Sequence, residues 1–355
     1  MSHAQAFPVS LRIAIENLPF KAPFRISGYS FADLDVVVVT LSDGVCQGRG
    51  EAAGVYYHPG DNPAGMVLQL EAVRERIERG LDRETLRGLL PPGGARNALD
   101  CALWDLEAKR AGQPVWALAG LDALQPKITT YTLGADDPDA MAGGARDFAA
   151  AKALKLKLIG DDLDLERVRQ VRAARPDVWL GVDANQGLTR ESFARLLPAL
   201  IEARVDLLEQ PFPLDRDAWL DGLACPIPIA ADESVQGLSD IAGLADRVQV
   251  INIKLDKCGG LTEALAMAHE ARRLGLKVMV GNMCGTVLAM APALVVGQLC
   301  DVVDLDGPMP LVADRDPAII YRDGQVWCPP EAWGNPVDVR RSDADARLSA
   351  PATHV

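Results

Sequence analysis

The chain has 355 residues, with 36 basic and 49 acidic side chains and a net charge of −13. That surplus excludes wholesale binding to nucleic-acid phosphates, which needs a basic footprint, and attraction to an anionic membrane. Apolar residues at 49% supply a large core, and the length calls for two domains or one large barrel with a cap.

The N-terminal MSHAQAFPVS lacks the basic region and apolar stretch of a signal peptide, and no later apolar run approaches the length of a membrane span. With seven cysteines, an odd count without a CxxC pair, the expectation is free thiols in a cytoplasmic protein. Next, SLRIAIENLPF alternates as a strand, and DLDVVVVTLSDG with VCQGRGEAAG predicts a hairpin around Ser42-Asp43-Gly44. GRGEAAG is not a dinucleotide fingerprint, because Ala53 stands where the third glycine belongs. Helices are predicted from Pro63 to Arg79 and from Ala95 to Ala111, the second ended by Gly112 and Pro114. Residues 1–125 thus read as an α+β capping domain. From Lys127 the texture changes to eight apolar runs separated by helical segments: ITTYTL, ALKLKLI, VWLGVD, VDLLEQ, IPIAAD, VQVINIK, KVMVGN and DVVDLD. That rhythm predicts a (β/α) barrel over 126–317. Residues 318–355 read as a C-terminal segment returning to the cap, with a polar tail from about 336.

Charges fall at the ends of these runs. Lys157, Asp183, Glu209, Asp232 and Lys254 follow one another at intervals of 22 to 26 residues, and Asp304 comes 50 residues later. One charged group per βα unit, delivered to the C-terminal ends of barrel strands, is the pattern of an active-site face. Asp183, Glu209 and Asp232 come from three consecutive strands. Three converging carboxylates repel unless a hard cation with oxygen ligands joins them, and Mg²⁺ suits such a set. Taken singly, each could instead cap the following helix. Lys155 and Lys157 point to one face of their strand, where each disfavours the other's charge and one pKa falls into the range of a general base. An isolated KxK also suits a solvated strand face. Lys254, four strands away, would reach the opposite side of a metal site, an arrangement suited to removing a proton from one face of a carbon and delivering it to the other. Gly259-Gly260 opens a helix and could meet an anion or simply turn the chain.

Taken together, LKLKLIG, GVDANQG, LLEQPFP, AADESV and INIKLDKCGG, with ALDCALWDLEAKRAGQPVWALAG in the cap, resemble the enolase superfamily and its muconate-lactonizing subgroup over roughly residues 8 to 330. The resemblance implies a modified TIM barrel, (β/α)7β, behind an N-terminal capping domain. It implies Mg²⁺ on Asp183, Glu209 and Asp232, with Lys157 and Lys254 as acid and base and Lys155 tuning Lys157. DLDGP is similar to the DxD motif of dipeptide epimerases, which implies that Asp304 and Asp306 hold a substrate ammonium. PFKAPFRIS resembles a substrate-covering loop, so Arg25 would meet a substrate carboxylate, and Tyr56 and Tyr57 fall in a second covering loop. The departures Cys258, Asn282 and VYYHPGDN bear on the side-chain preference of the pocket.

The expected function is therefore an isomerase: an Mg²⁺-dependent dipeptide epimerase acting at the α-carbon of the C-terminal residue, with L-Ala-D/L-Glu as leading substrate. An o-succinylbenzoate synthase or N-acylamino acid racemase uses the same lysines and metal but needs no anionic pair for a free amine. A catalytically silent barrel serving as a scaffold has no physical need to keep like charges together. The partner is a small-molecule dipeptide, with no nucleic acid and no membrane, and assembly into a homo-oligomer is left open. Six carboxylates (Asp183, Glu209, Asp232, Glu233, Asp304, Asp306) face four lysines (Lys155, Lys157, Lys254, Lys257), a surplus that one Mg²⁺ cancels.

Overall fold

The computed structural model describes residues 7–336, so most of the polar tail expected from about 336 lies outside the described residues. The chain opens with an antiparallel sheet of β1 (Ser10–Ile26), β2 (Tyr29–Ser42) and β3 (Gln47–Ala52), in that order. The first strand runs on past the predicted segment, through Pro19 and Pro23, with a register shift between Pro19 and Phe24. An edge strand tolerates prolines because its outer amides need no ladder partner.

Four helices follow: α1 (Pro63–Ala72), α2 (Arg74–Glu78), α3 (Arg83–Leu89) and α4 (Gly94–Ala111). The single helix expected from Pro63 to Arg79 breaks at Val73, whose φ of −114° and ψ of 8° are not helical. The break turns α2 onto β1, where Arg74 donates to the Leu11 carbonyl at 2.7 Å and Glu78 accepts from the Leu11 amide at 3.4 Å. Helix α4 is buried on nearly every face because it lies between the cap sheet and the barrel. Toward the sheet it needs glycine: a Cβ on Gly50 would stand 2.1 Å from the Ala98 carbonyl oxygen, and one on Gly48 2.1 Å from that of Ala102. Toward the barrel, Asp100 accepts from the Thr262 amide at 2.9 Å and hydroxyl at 2.6 Å.

The barrel is an eight-stranded parallel sheet in sequence order: β5 (Thr130–Leu133), β6 (Ala153–Lys157), β7 (Trp179–Asp183), β8 (Leu207–Glu209), β9 (Ile229–Ala231), β10 (Val250–Ile253), β11 (Lys277–Val280) and β12 (Val302–Val303). The two-residue β4 (Lys127–Ile128) pairs instead with a returning hairpin, β13 (Ile320–Arg322) and β14 (Gln325–Trp327). Helical segments fill the seven intervals between barrel strands, and none follows the eighth within 304–336. The expected (β/α)7β barrel with an α+β cap is the observed fold. Leu207, Ala230, Val250 and Met279 fill the floor with Trp179, so polar groups gather at the other end. After β14 the chain reaches the cap, where Gly334 accepts from Val115 at 2.7 Å and Trp333 donates to the Arg49 carbonyl at 2.8 Å.

Strands β5 and β12 share no backbone ladder. Side chains close this seam: Thr130 donates to Asp304, the Leu305 amide donates to the Thr129 hydroxyl at 2.9 Å, and the Thr132 amide donates to Asp306 at 2.7 Å.

Gly50→Ala should destabilise the protein by about 3 kcal/mol, since overpacking here is against backbone. Gly88→Ala in α3, where nothing lies within 4 Å of the new methyl, should instead stabilise by about 0.5–1 kcal/mol. Urea unfolding of the two variants checks both signs.

Candidate active site

Strand alternation brings the expected charges together. Lys157 pairs in register with Asp183, and Asp183 with Glu209, so three strands end on one rung. Asp232 and Lys254 sit one residue beyond β9 and β10. All five are buried. One oxygen from each of Asp183, Glu209 and Asp232 lies within 4.8 Å of the others. Lys157 donates to Asp183 at 2.6 Å and Lys254 to Asp232 at 2.7 Å.

The set fits a hard cation. Glu209 takes a hydrogen bond from Asn252 at 2.7 Å, yet its Oε2 is buried without a hydrogen-bond partner. Glu233 Oε2, Asn185 Oδ1 and Asn252 Oδ1 are likewise buried and unpartnered. These orphans are all acceptors, and buried acceptors without donors are costly. A ligand set of three carboxylate oxygens suits Mg²⁺ and not a soft metal.

The electrostatics divide the carboxylates. Burial pushes Glu209 up to about 8, helped by Asp183 and opposed by Lys155. Burial and the charges of Asp232 and Asp183 push Glu233 up to about 7. Asp232 is buried too, but Lys254 and Lys257 outweigh that and hold it well below the carboxylate range. Lys257 donates to both the carboxylate and the carbonyl of Asp232 at 2.5 Å.

Lys155 is not the member of the KxK pair whose pKa falls. Burial would lower it, but Asp304 at its Nζ and Glu209 at 3.6 Å hold it well above the ordinary lysine value. Those two carboxylates favour the ammonium form of Lys155. Asp304 also accepts from Thr130, while its backbone carbonyl accepts from Asn282 at 2.8 Å. Asp306 faces no lysine at bonding distance, and burial together with Asp304 pushes its pKa up.

Over these groups lies a cavity of about 90 Å³ lined by Lys157 and Lys254 below and by Phe24, Phe31 and Tyr56 above. Tyr56 packs edge-on against Tyr29 and Tyr57, with ring centroids 4.6 and 5.0 Å away. Arg25 is not among the lining residues. It stands at the rim, 3.7 Å from Asp136, with more than half of each side chain exposed.

Three contributors lie inside the motifs but carried no assigned role in the sequence. Asn252 points inward by simple alternation, two residues before Lys254. Gln210, at φ 35°, accepts from the amides of Asp232 and Ser234 and so aims the β9 turn. The third, Asp256, contacts the cap, and alternation on β10 does not reach it.

Comparison with known proteins follows the same lines. Residues 140–341 match the family model described as enolase C-terminal domain-like, and residues 9–120 match the mandelate racemase / muconate lactonizing enzyme N-terminal domain. The chain is 41% identical to an L-Ala-D/L-Glu epimerase of Escherichia coli over 89% of its own length and 99% of that protein's. It is 36% identical to an N-acetyl-D-glutamate racemase of a Pseudoalteromonas species, covering 82% and 92%. An Agrobacterium tumefaciens enolase family member with homology to dipeptide epimerases, solved with sodium and L-Ala-L-Glu, superposes with a TM-score of 0.88. The two are 42% identical, covering 92% of this chain and all of that one. A Methylococcus capsulatus dipeptide epimerase complexed with Mg and L-Arg-D-Lys gives 0.83 at 31% identity, covering 91% and 98%.

Mg²⁺ should raise the thermal midpoint, by the equivalent of about 2.7 kcal/mol at one hundred times Kd. The gain should grow with pH. Glu209 has a folded pKa raised from 4.5 to about 8. Its contribution to metal-free stability is therefore fully present below 4.5 and lost as pH rises toward 8, where the cation offsets the exposed repulsion. Thermal melts from pH 5 to pH 8, with Mg²⁺ or with chelator, check this. Asp183→Asn should abolish most of the gain.

Proposed function

The chain belongs to the mandelate racemase / muconate lactonizing enzyme family of the enolase superfamily, and on that premise we propose that it is an Mg²⁺-dependent dipeptide epimerase, with L-Ala-D/L-Glu as leading substrate. The observation that carries this reading is the pair of lysines. Lys157 on β6 and Lys254 after β10 stand four strands apart in an eight-stranded barrel, and both line one cavity above one carboxylate trio.

Asp183, Glu209 and Asp232 would hold the cation, which when bound stabilises the negative charge that develops as an α-proton leaves a carbon next to a carboxylate. With those carboxylates committed to ligation, Lys157 and Lys254 lose their ion-pair partners, and each can be neutral in turn. One removes the α-proton of the C-terminal residue. The other delivers a proton to the opposite face. The roles exchange with the hand of the substrate. Lys155 stays an ammonium between Asp304 and Glu209 and keeps a fixed positive charge beside that exchange.

The free amine of a dipeptide would meet Asp304 and Asp306. Asp304 is already paired with Lys155, so Asp306 gains more from an incoming ammonium. Tyr56 would cover the bound dipeptide. Arg25, turned from Asp136, would meet a glutamate side chain. A reducing, cytoplasmic setting suits the seven cysteines, and among the described residues no helix is long and apolar enough to cross a membrane.

A second reading, racemisation of an N-acylated amino acid, draws on the similarity to the N-acetyl-D-glutamate racemase. It leaves Asp306 buried with no cation to meet. Incubation of an L,L-dipeptide library with enzyme and Mg²⁺ in D₂O, followed by mass, should show deuterium at the α-carbon of the second residue and strongest uptake in L-Ala-L-Glu. Exchange confined to N-acyl amino acids would select the second reading.

A further inference from the structure

Between cap and barrel, a buried carboxylate serves no part of the chemistry above. Asp256 lies two residues after Lys254 and is 5% exposed. Its Oδ1 accepts from two consecutive amides of the cap, Ala53 at 2.9 Å and Gly54 at 3.0 Å. The next amide, Val55, donates to Asp61 at 3.0 Å, and Asp61 also receives Gly94 at the start of α4. Gly54 is at φ 76°, and a Cβ there would meet the Asp61 carbonyl oxygen at 2.2 Å, so the turn admits little adjustment. Ala53, Gly54 and Tyr56 all line the cavity with Lys254.

On the other flank the same loop is held through Glu51, which accepts from the Thr286 amide at 2.7 Å and hydroxyl at 2.6 Å. The loop that covers the cavity is therefore fastened to the barrel at the exits of two adjacent strands, β10 and β11. The β10 fastening is continuous in sequence with a lysine of the reaction.

We propose that Asp256 is a positioning residue that fixes the Ala53–Tyr57 loop over the substrate and ties its height to Lys254. This rests on the epimerase reading for its kinetic consequence, though the loop contact itself does not. One oxygen accepts both amides, so the acceptor matters more than the charge. Consistent with that, burial and the Asp61 charge push Asp256 up to about 7 despite the two amides and the Asn97 side chain that favour its anion. An asparagine oxygen can take the same place.

The test compares Asp256→Ala and Asp256→Asn in the full chain with Mg²⁺. For Asp256→Ala, KM for L-Ala-L-Glu should rise roughly tenfold or more, with kcat changed by less than about threefold. Mg²⁺ affinity by calorimetry should be unchanged. Hydrogen exchange in the peptide spanning Glu51 to Tyr57 should quicken by about tenfold or more. Asp256→Asn should restore KM and exchange to near the parent values. Parent-like exchange in Asp256→Ala, or Asp256→Asn as impaired as the alanine variant, would overturn the proposal. Should the alanine variant not fold, Asp256→Ser, too short to reach both amides, carries the same readouts. If the parent protein lacks epimerase activity, only the functional reading falls, and the exchange comparison still decides the role of Asp256.

Discussion

Three carboxylates buried at one point cannot stay ionised unless positive charge is brought to them. Much of the site follows from that constraint. Lys157 answers Asp183, Lys254 and Lys257 answer Asp232, and Lys155 stands between Asp304 and Glu209. Within that trio, Glu209 is the carboxylate that the protein's own cations answer least. It keeps an oxygen without a hydrogen-bond partner, and burial raises its pKa. The sequence arithmetic left two surplus negative charges in this cluster, and the geometry leaves Glu233 and Asp306 as the two carboxylates with no lysine at ion-pair distance. In the proposed reaction, a divalent cation held by the trio would offset that surplus and free Lys157 and Lys254 for proton transfer.

The scaffold makes such a site tolerable. An apolar floor keeps water from the lower barrel, and the cap shields the top with aromatic rings. The seam between the first and last barrel strands lacks a ladder, and Asp304 and Asp306 help to close it with Thr129, Thr130 and Thr132. The residues assigned to a substrate amine are therefore also joints of the barrel. In the proposed binding mode, that double duty would give the subsite a rigidity that a loop would not supply, since each carboxylate is held by a partner on the opposite side of the seam.

Most of the barrel and its charged face were legible in the sequence. Strand alternation and the βα repeat are local properties, so Lys157, Asp183, Glu209, Asp232 and Lys254 could be placed on one face without a structure. Contacts between distant segments could not. Thr130 meets Asp304 across 174 residues, and Asp256 meets Ala53 across 203. The KxK spacing suggested mutual repulsion, but the pKa of Lys155 is decided by Asp304, which no local pattern pairs with it. The helix break at Val73 likewise goes with a contact from Arg74 to β1 across 63 residues. Arg25 was legible as part of a covering segment, while its position at the rim beside Asp136 was not.

The proposed reaction needs two lysines that address opposite faces of one carbon. It is tested most directly by α-proton exchange in D₂O with single variants, using L-Ala-L-Glu and L-Ala-D-Glu separately. Lys157→Ala and Lys254→Ala should each lose epimerisation, and each should still exchange one stereoisomer, with opposite preference in the two variants. Full epimerisation by either variant, or the same preference in both, would contradict the account.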